Sequence, residues 1–115
     1  MIKMSLFLTR RADLTFEQFA DHWLNVHWDA VRTVPEVRKY TIRYTQQHNI
    51  GGVPEGARAA PFDGIAEAWL DDLASVKAML MSDQWASVVQ EDDKRFLDTS
   101  KTLVMFTEEK VNYIR

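Results

Sequence analysis

Ile2, Met4, Leu6 and Leu8 alternate with Lys3, Ser5, Phe7 and Thr9 at the start of the chain. That period of two predicts a strand with one strongly apolar face, and Phe7 makes the second face partly apolar. The period then changes. At about 100° per residue, Phe16, Phe19, Trp23, Val26, Ala30 and Val34 share one stripe, which predicts a helix packed against something larger. Asp13 or Thr15 can cap its start, Glu17 and Gln18 suit its first turn, and Pro35 should end it near Thr33 or Val34. Val37 to Gln46, VRKYTIRYTQ, reads as a second strand with Tyr40, Ile42 and Tyr44 on one side.

Residues 47–61, QHNIGGVPEGARAAP, hold three of the four glycines and two of the three prolines, so they predict a long loop, a candidate lid. Phe62 to Leu70 forms a third strand in which Ile65, Glu67 and Trp69 share a face. Asp71 and Asp72 open a second helix with Leu73, Val76, Met79 and Leu80 as its apolar positions. Ser82 and Asp83 break it. Trp85, Val88 and Val89 resume a helical pattern that runs into the EDDKR charge run, expected to be a solvated turn or helix face, and on to Phe96 and Leu97. Thr102 to Thr107, TLVMFT, predicts a fourth strand buried on both sides, followed by a tail that carries Val111, Tyr113 and Ile114.

The order βαββαβ implies a single α+β domain, 1–115, of ferredoxin-like architecture: an antiparallel four-stranded sheet with two helices on one face. Two helices cover only one side of such a sheet, yet the strands carry large apolar residues on both. A second copy of the chain is the simplest cover, so a homodimer is expected. Trp28, roughly 180° from Phe19 on the helical wheel, is expected to be exposed and to hint at the same partner surface.

Composition narrows the partners. Of the residues, 46% are hydrophobic and 27% charged, as in an ordinary soluble globular protein. The 14 basic and 17 acidic side chains, net −3, are interspersed and leave no basic face for nucleic acid or an anionic membrane. The absence of cysteine excludes disulfides, thiolate metal sites and thiol nucleophiles. The N-terminal run reads as a strand and not a signal peptide, and nothing approaches a membrane span, so the expected compartment is the cytoplasm.

The unusual chemistry lies in FEQFADHWLNVHWDAVRTVPEVRKY, from Phe16 to Tyr40. His27 lies about 40° from Trp23 on the wheel and so points toward the buried side; it is a candidate proton shuttle, as an imidazole titrates near neutral pH. Tyr40 is a candidate donor to a carbonyl or enolate oxygen. Glu67, beside two large apolar side chains, needs a partner or a purpose: orienting His27, acting as a second base, or bridging to Arg38 or Arg43. His22 is expected to be structural, since five positions of α-helix separate it from His27 by about 140°, too far for a shared metal ion. Trp23, Trp69 and Trp85 could wall a pocket for a flat ligand. GGVPEG lacks the following lysine and helix of a phosphate loop, and there is no nucleotide fingerprint.

The strand MSLFL, that segment with its F-x-x-H-W-x-x-x-H spacing followed by P-x-V-x-x-Y, FDGIAEAWL and SDQWASVVQEDDKRFLD together resemble the EthD-type members of the dimeric α+β barrel superfamily. The motifs also resemble those of methylmuconolactone methylisomerase and, more distantly, muconolactone isomerases and polyketide cyclases. The resemblance implies sheets joined into a dimeric barrel, a pocket between sheet and helices, the helix histidine at His27, the strand tyrosine at Tyr40 and a loop histidine at His48. The methylisomerase's strand cysteine falls on Ala68, so its thiol is missing here. The implied activity is cofactor-free, His-mediated proton transfer, as isomerase, cyclase or lyase, on a small cyclic ketone or lactone of aromatic or polyketide metabolism. The alternatives are an accessory or binding protein of an oxygenase system and an oxygen- or haem-using oxidoreductase.

Overall fold

The computed structural model describes residues 1–115. Its strands are β1 (Ile2–Leu8), β2 (Arg43–His48), β3 (Gly64–Leu70) and β4 (Leu103–Thr107), joined in the order β2-β3-β1-β4 with every neighbour antiparallel. This is the ferredoxin-like sheet that the βαββαβ order implies. The register sets Met4 opposite Ala68 and Ser5 opposite Glu67. One face of β1 and β3 therefore gives Met4, Leu8, Ala66, Ala68 and Leu70 to the buried core, together with Phe19, Val31, Val34, Val76, Met79 and Phe96 from the helices. The other face carries Lys3, Ser5, Phe7, Ile65, Glu67 and Trp69. No helix is long and apolar enough to cross a membrane.

The first helical region is built in three parts: α1 (Phe16–His22), a π-helical turn (Trp23–His27) and α2 (Trp28–Val31). Thr15 caps α1 through a reciprocal box, its hydroxyl accepting from the Gln18 N–H while the Gln18 side chain accepts from the Thr15 N–H. At the π turn the Trp28 N–H reaches back five residues to the Trp23 carbonyl. That wider turn rotates everything after Trp23 relative to an α-helical wheel. Val26, expected in the stripe, is 48% exposed and Val31 is buried instead, while His27 is buried as its place beside Trp23 predicts. Trp28, expected to be exposed, swings inward and stacks on Tyr44 at 4.4 Å with their planes 3° apart. It is part of this chain's own packing.

Pro35 does not only end the helix. It occupies the first turn of a further one, α3 (Pro35–Tyr40), where its missing N–H costs nothing. The second strand accordingly begins at Arg43, and Tyr40 is helical. The 49–61 loop is exposed throughout and covers no part of the core, with Gly51 and Gly56 at φ near +90° making its turns. It is not a lid in this conformation.

After β3, Asp72 caps α4 (Leu73–Leu80) by accepting from the Ser75 N–H. The Ser82 hydroxyl accepts from the Trp85 N–H and starts a second π-helical stretch (Trp85–Gln90) leading into α5 (Glu91–Phe96). The EDDKR run is thus helical and only partly solvated: Asp92 is 4% exposed. β4, at the sheet edge, is also unlike its expectation. Leu103, Val104, Met105 and Phe106 are 41–56% exposed in the single chain.

Candidate functional site

Between the sheet and the two π-helical stretches lies a partly open, narrow chamber of about 70 Å³. Met4, Leu6 and Ala66 line its floor, Trp23, Met79, Trp85 and Phe96 its walls, and His27, Asp93 and Tyr44 bring polar groups to it. Trp23 is held against β3 at Gly64, where a Cβ would stand only 2.9 Å from the indole Cη2. That contact needs glycine.

His27 is 6% exposed. Its Nδ1 lies 2.7 Å from Asp92 Oδ2 and its Nε2 3.5 Å from Asp93 Oδ1, with Phe96 against the ring at 4.7 Å. Asp92 also takes His22 Nε2 at 3.0 Å and Arg95 at 3.2 Å. The two histidines, 140° apart on an ideal α-helix, meet on one carboxylate because the π turn brings residues five apart nearly into register. His22 is thereby a support for Asp92.

The electrostatics follow from these contacts. Burial drives the His27 pKa below its usual value, overriding the upward pull of Asp92, so the ring is neutral near pH 7. Burial alone would raise Asp92, but the hydrogen bonds from His27 and His22 more than offset it and keep the carboxylate ionised. Asp92 accepting at Nδ1 fixes the neutral tautomer: N–H toward Asp92, the lone pair of Nε2 toward the chamber and Asp93. Asp93 is the opposite case. Burial, with the Asp92 charge next to it, pushes its pKa up to about 7. Two adjacent carboxyl groups, one ionised and one that keeps its proton up to about pH 7, therefore flank a single imidazole. Burial also raises the Tyr44 pKa, so its hydroxyl keeps its proton.

The other residues singled out in the sequence divide cleanly. Trp23 and Trp85 line the chamber. Tyr40 does not: it packs at the edge of the core with the Lys39 ammonium 5.1 Å from its ring centre, and Tyr44, on the strand that begins three residues later, takes the chamber position. Glu67 borders the chamber through the strand, but its carboxylate serves the other sheet face, 2.6 Å from Lys3 and 3.1 Å from Ser5 Oγ, with Gln47 also donating to it. Its partner is Lys3, neither Arg38 nor Arg43, and it does not reach His27. Trp69 is on that face too, under the Arg43 guanidinium at 4.5 Å and donating to Glu109 at 2.6 Å. His48 ends β2, stacked on the outer side of Trp23 at 4.5 Å and 2.9 Å from Gln46 Oε1, one layer removed from the chamber. Asp92, Asp93 and Tyr44 escaped the sequence reading. A signal existed for the first: Trp85, Val89, Asp92 and Phe96 follow one another at helical spacing, which puts a carboxylate in an apolar stripe.

Fold and site define an α+β protein whose ferredoxin-like sheet, with its helices, closes over a small apolar chamber holding a His–Asp pair. The EthD domain profile matches residues 11–100, and the chain belongs to the EthD family. Among solved structures it is similar to an ethyl tert-butyl ether D (EthD) family protein of Bacillus halodurans, 21% identical with a TM-score of 0.71 over 95% of this chain and 98% of that one. An EthD-like protein of Ralstonia eutropha is 16% identical with a TM-score of 0.72, covering 97% and 94%. A dimeric protein of ferredoxin-like fold from Bacteroides fragilis is 13% identical with a TM-score of 0.65, covering 94% and 95%. No curated protein matches the sequence.

Proposed function

We propose that this EthD-family chain is a cofactor-free enzyme that moves a proton on a small cyclic ketone or lactone, with His27 as the base and Tyr44, in place of Tyr40, as a donor to the carbonyl oxygen. The observation that carries this reading is the buried neutral imidazole, its Nδ1 held 2.7 Å from an ionised Asp92 and its Nε2 turned into an apolar chamber. A mostly apolar surrounding strengthens each polar contact made to a reacting group. The carboxylate behind the ring orients it and steadies the imidazolium that forms on proton abstraction. A chamber of about 70 Å³ holds a few waters, so a ring-sized ligand enters only as the lining gives way. Met4 and Met79, unbranched and adaptable, are the lining residues suited to that.

The test is deuterium exchange into 2-cyclohexen-1-one and cyclic lactones in heavy water. Wild-type protein should exceed the buffer rate and His27→Ala should return to it, with circular dichroism confirming that the variant folds. Equal rates for the two proteins sink the assignment. The mostly apolar lining of the chamber favours one second reading, a ligand-binding protein of an oxygenase system. In that case tryptophan fluorescence reports binding while exchange stays at the uncatalysed rate. A haem macrocycle is far larger than the about 70 Å³ of the chamber, so that alternative has less support.

The chain is further proposed to work as a homodimer through the sheet face opposite the helices. Leu103, Met105 and Phe7 leave apolar surface there, and the similar proteins of Bacteroides fragilis and Thermobifida fusca are described as dimeric. Met105→Glu should shift sedimentation from a dimer to a single chain; a wild-type protein that sediments as one chain at micromolar concentration removes the dimer.

A further inference from the structure

The charged groups at the chamber are not exhausted by one base, because Asp93 stands beside His27 with no structural partner of its own. Its Oδ1 is 3.5 Å from His27 Nε2, too far for a good mutual hydrogen bond, and both atoms edge the same chamber. Asp92 on the same helix already satisfies His27, His22 and Arg95. Asp93 adds nothing to that cluster except repulsion of Asp92. Both residues line the same space, so a ketone seated there can present its α-hydrogen to His27 and its oxygen to Asp93.

We infer that Asp93 is a second catalytic residue, a neutral carboxylic acid that gives its proton to a ketone oxygen while His27 removes the adjacent carbon-bound proton, which makes the chamber's substrate class β,γ-unsaturated ketones. This rests on the reading of His27 as the base. In the first step the α C–H bond breaks and its proton goes to His27 Nε2, while the Asp93 O–H bond breaks and its proton goes to the carbonyl oxygen, leaving a neutral dienol between imidazolium and carboxylate. In the second step the imidazolium returns its proton to the γ-carbon, and the Asp93 carboxylate recovers the proton from the enol oxygen. The double bond ends conjugated to the carbonyl, and both residues end as they began. No co-reactant is needed.

The groups that face Asp93 suit this role. Asp92 on its own helix is negative, and Arg95 is engaged by Asp92; His27 from the first helical region is neutral, and His22 is bound to Asp92; Tyr44 from β2 is neutral. No cation faces it to strip its proton, and burial pushes its pKa up to about 7.

The experiment follows conversion of 3-cyclohexen-1-one into its conjugated isomer by ultraviolet absorbance, for wild type, Asp93→Asn and His27→Ala, together with infrared spectra of the same proteins without ligand. The carboxyl C=O band of a protonated acid should be present in wild type at pH 6, fade with a midpoint near pH 7 and be missing from D93N. D93N should isomerise about 100-fold more slowly and lose the decline in rate that wild type shows as pH rises through that midpoint. Absence of the band at pH 6 overturns the inference whatever the turnover. So does a D93N rate within twofold of wild type alongside an inactive His27→Ala, a result that leaves His27 as base untouched. An active His27→Ala instead brings down the function itself.

Discussion

The two faces of the sheet each carry a carboxylate with several partners, and they use it differently. On the helix side, Asp92 is 4% exposed and bound by two histidines and an arginine, with the unpaired Asp93 next to it. On the opposite side, Glu67 is held by Lys3, Ser5 and Gln47, and its pKa is lowered: burial would raise it, but those three partners outweigh burial. Glu67 is the more conspicuous in the sequence, alone between Ile65 and Trp69, but its surroundings simply satisfy it. The acidic pair hidden in an apparent charge run is the one left with unspent chemistry. An isolated charge among apolar letters is thus a weaker pointer to a site than a charge whose neighbours in space cannot all be paired.

The contrast can be attacked from both sides. Phe19, completely buried among Trp23, Phe16 and Phe96, should cost about 3–5 kcal/mol in denaturant unfolding when replaced by alanine, as the covered face has no room to relax. Asp92→Asn cannot accept from both histidines as an ionised carboxylate does, and should lose about 1–3 kcal/mol by the same measurement. If that loss is negligible, the cluster is no more than a surface ion pair.

Asp93 should behave with the opposite sign. Its pKa of about 7 lies above the value of an unfolded aspartate, so the folded chain holds more protons than the unfolded one between roughly pH 4 and 7, and stability falls as pH rises through that window. Asp93→Asn should therefore be more stable than wild type at pH 8, by up to about 4 kcal/mol, and no more stable at pH 4. A gain that is the same at both values would mean that Asp93 is ionised throughout. The smallest effect is expected on the other face, where Glu67→Gln should cost under about 1 kcal/mol and leave proton exchange unchanged. An exchange rate that drops with Glu67→Gln would restore Glu67 to the site.

Much of the architecture could be read without coordinates. The alternation in β1 and β3, the caps at Thr15 and Asp72 and the order of the elements all follow from residues within a few positions of one another, and local periods report such features well. His27 was legible for the same reason, since it falls beside Trp23 on any helical wheel. The site's other members were not. A single π turn at Trp23–His27 rotates the chain beyond it, bringing His22 and His27 together and turning Trp28 inward, and no letter marks that turn.

Asp92 meets His27 across 65 residues, and Tyr44, not Tyr40, reaches the chamber because Pro35 starts a new helix and delays the strand. The chain's letters set which elements form and which side of each strand is apolar, because backbone period and burial act residue by residue. Packing between distant elements chose which carboxylate would orient the histidine and which would keep its proton, since desolvation and pairing are properties of a place in the fold.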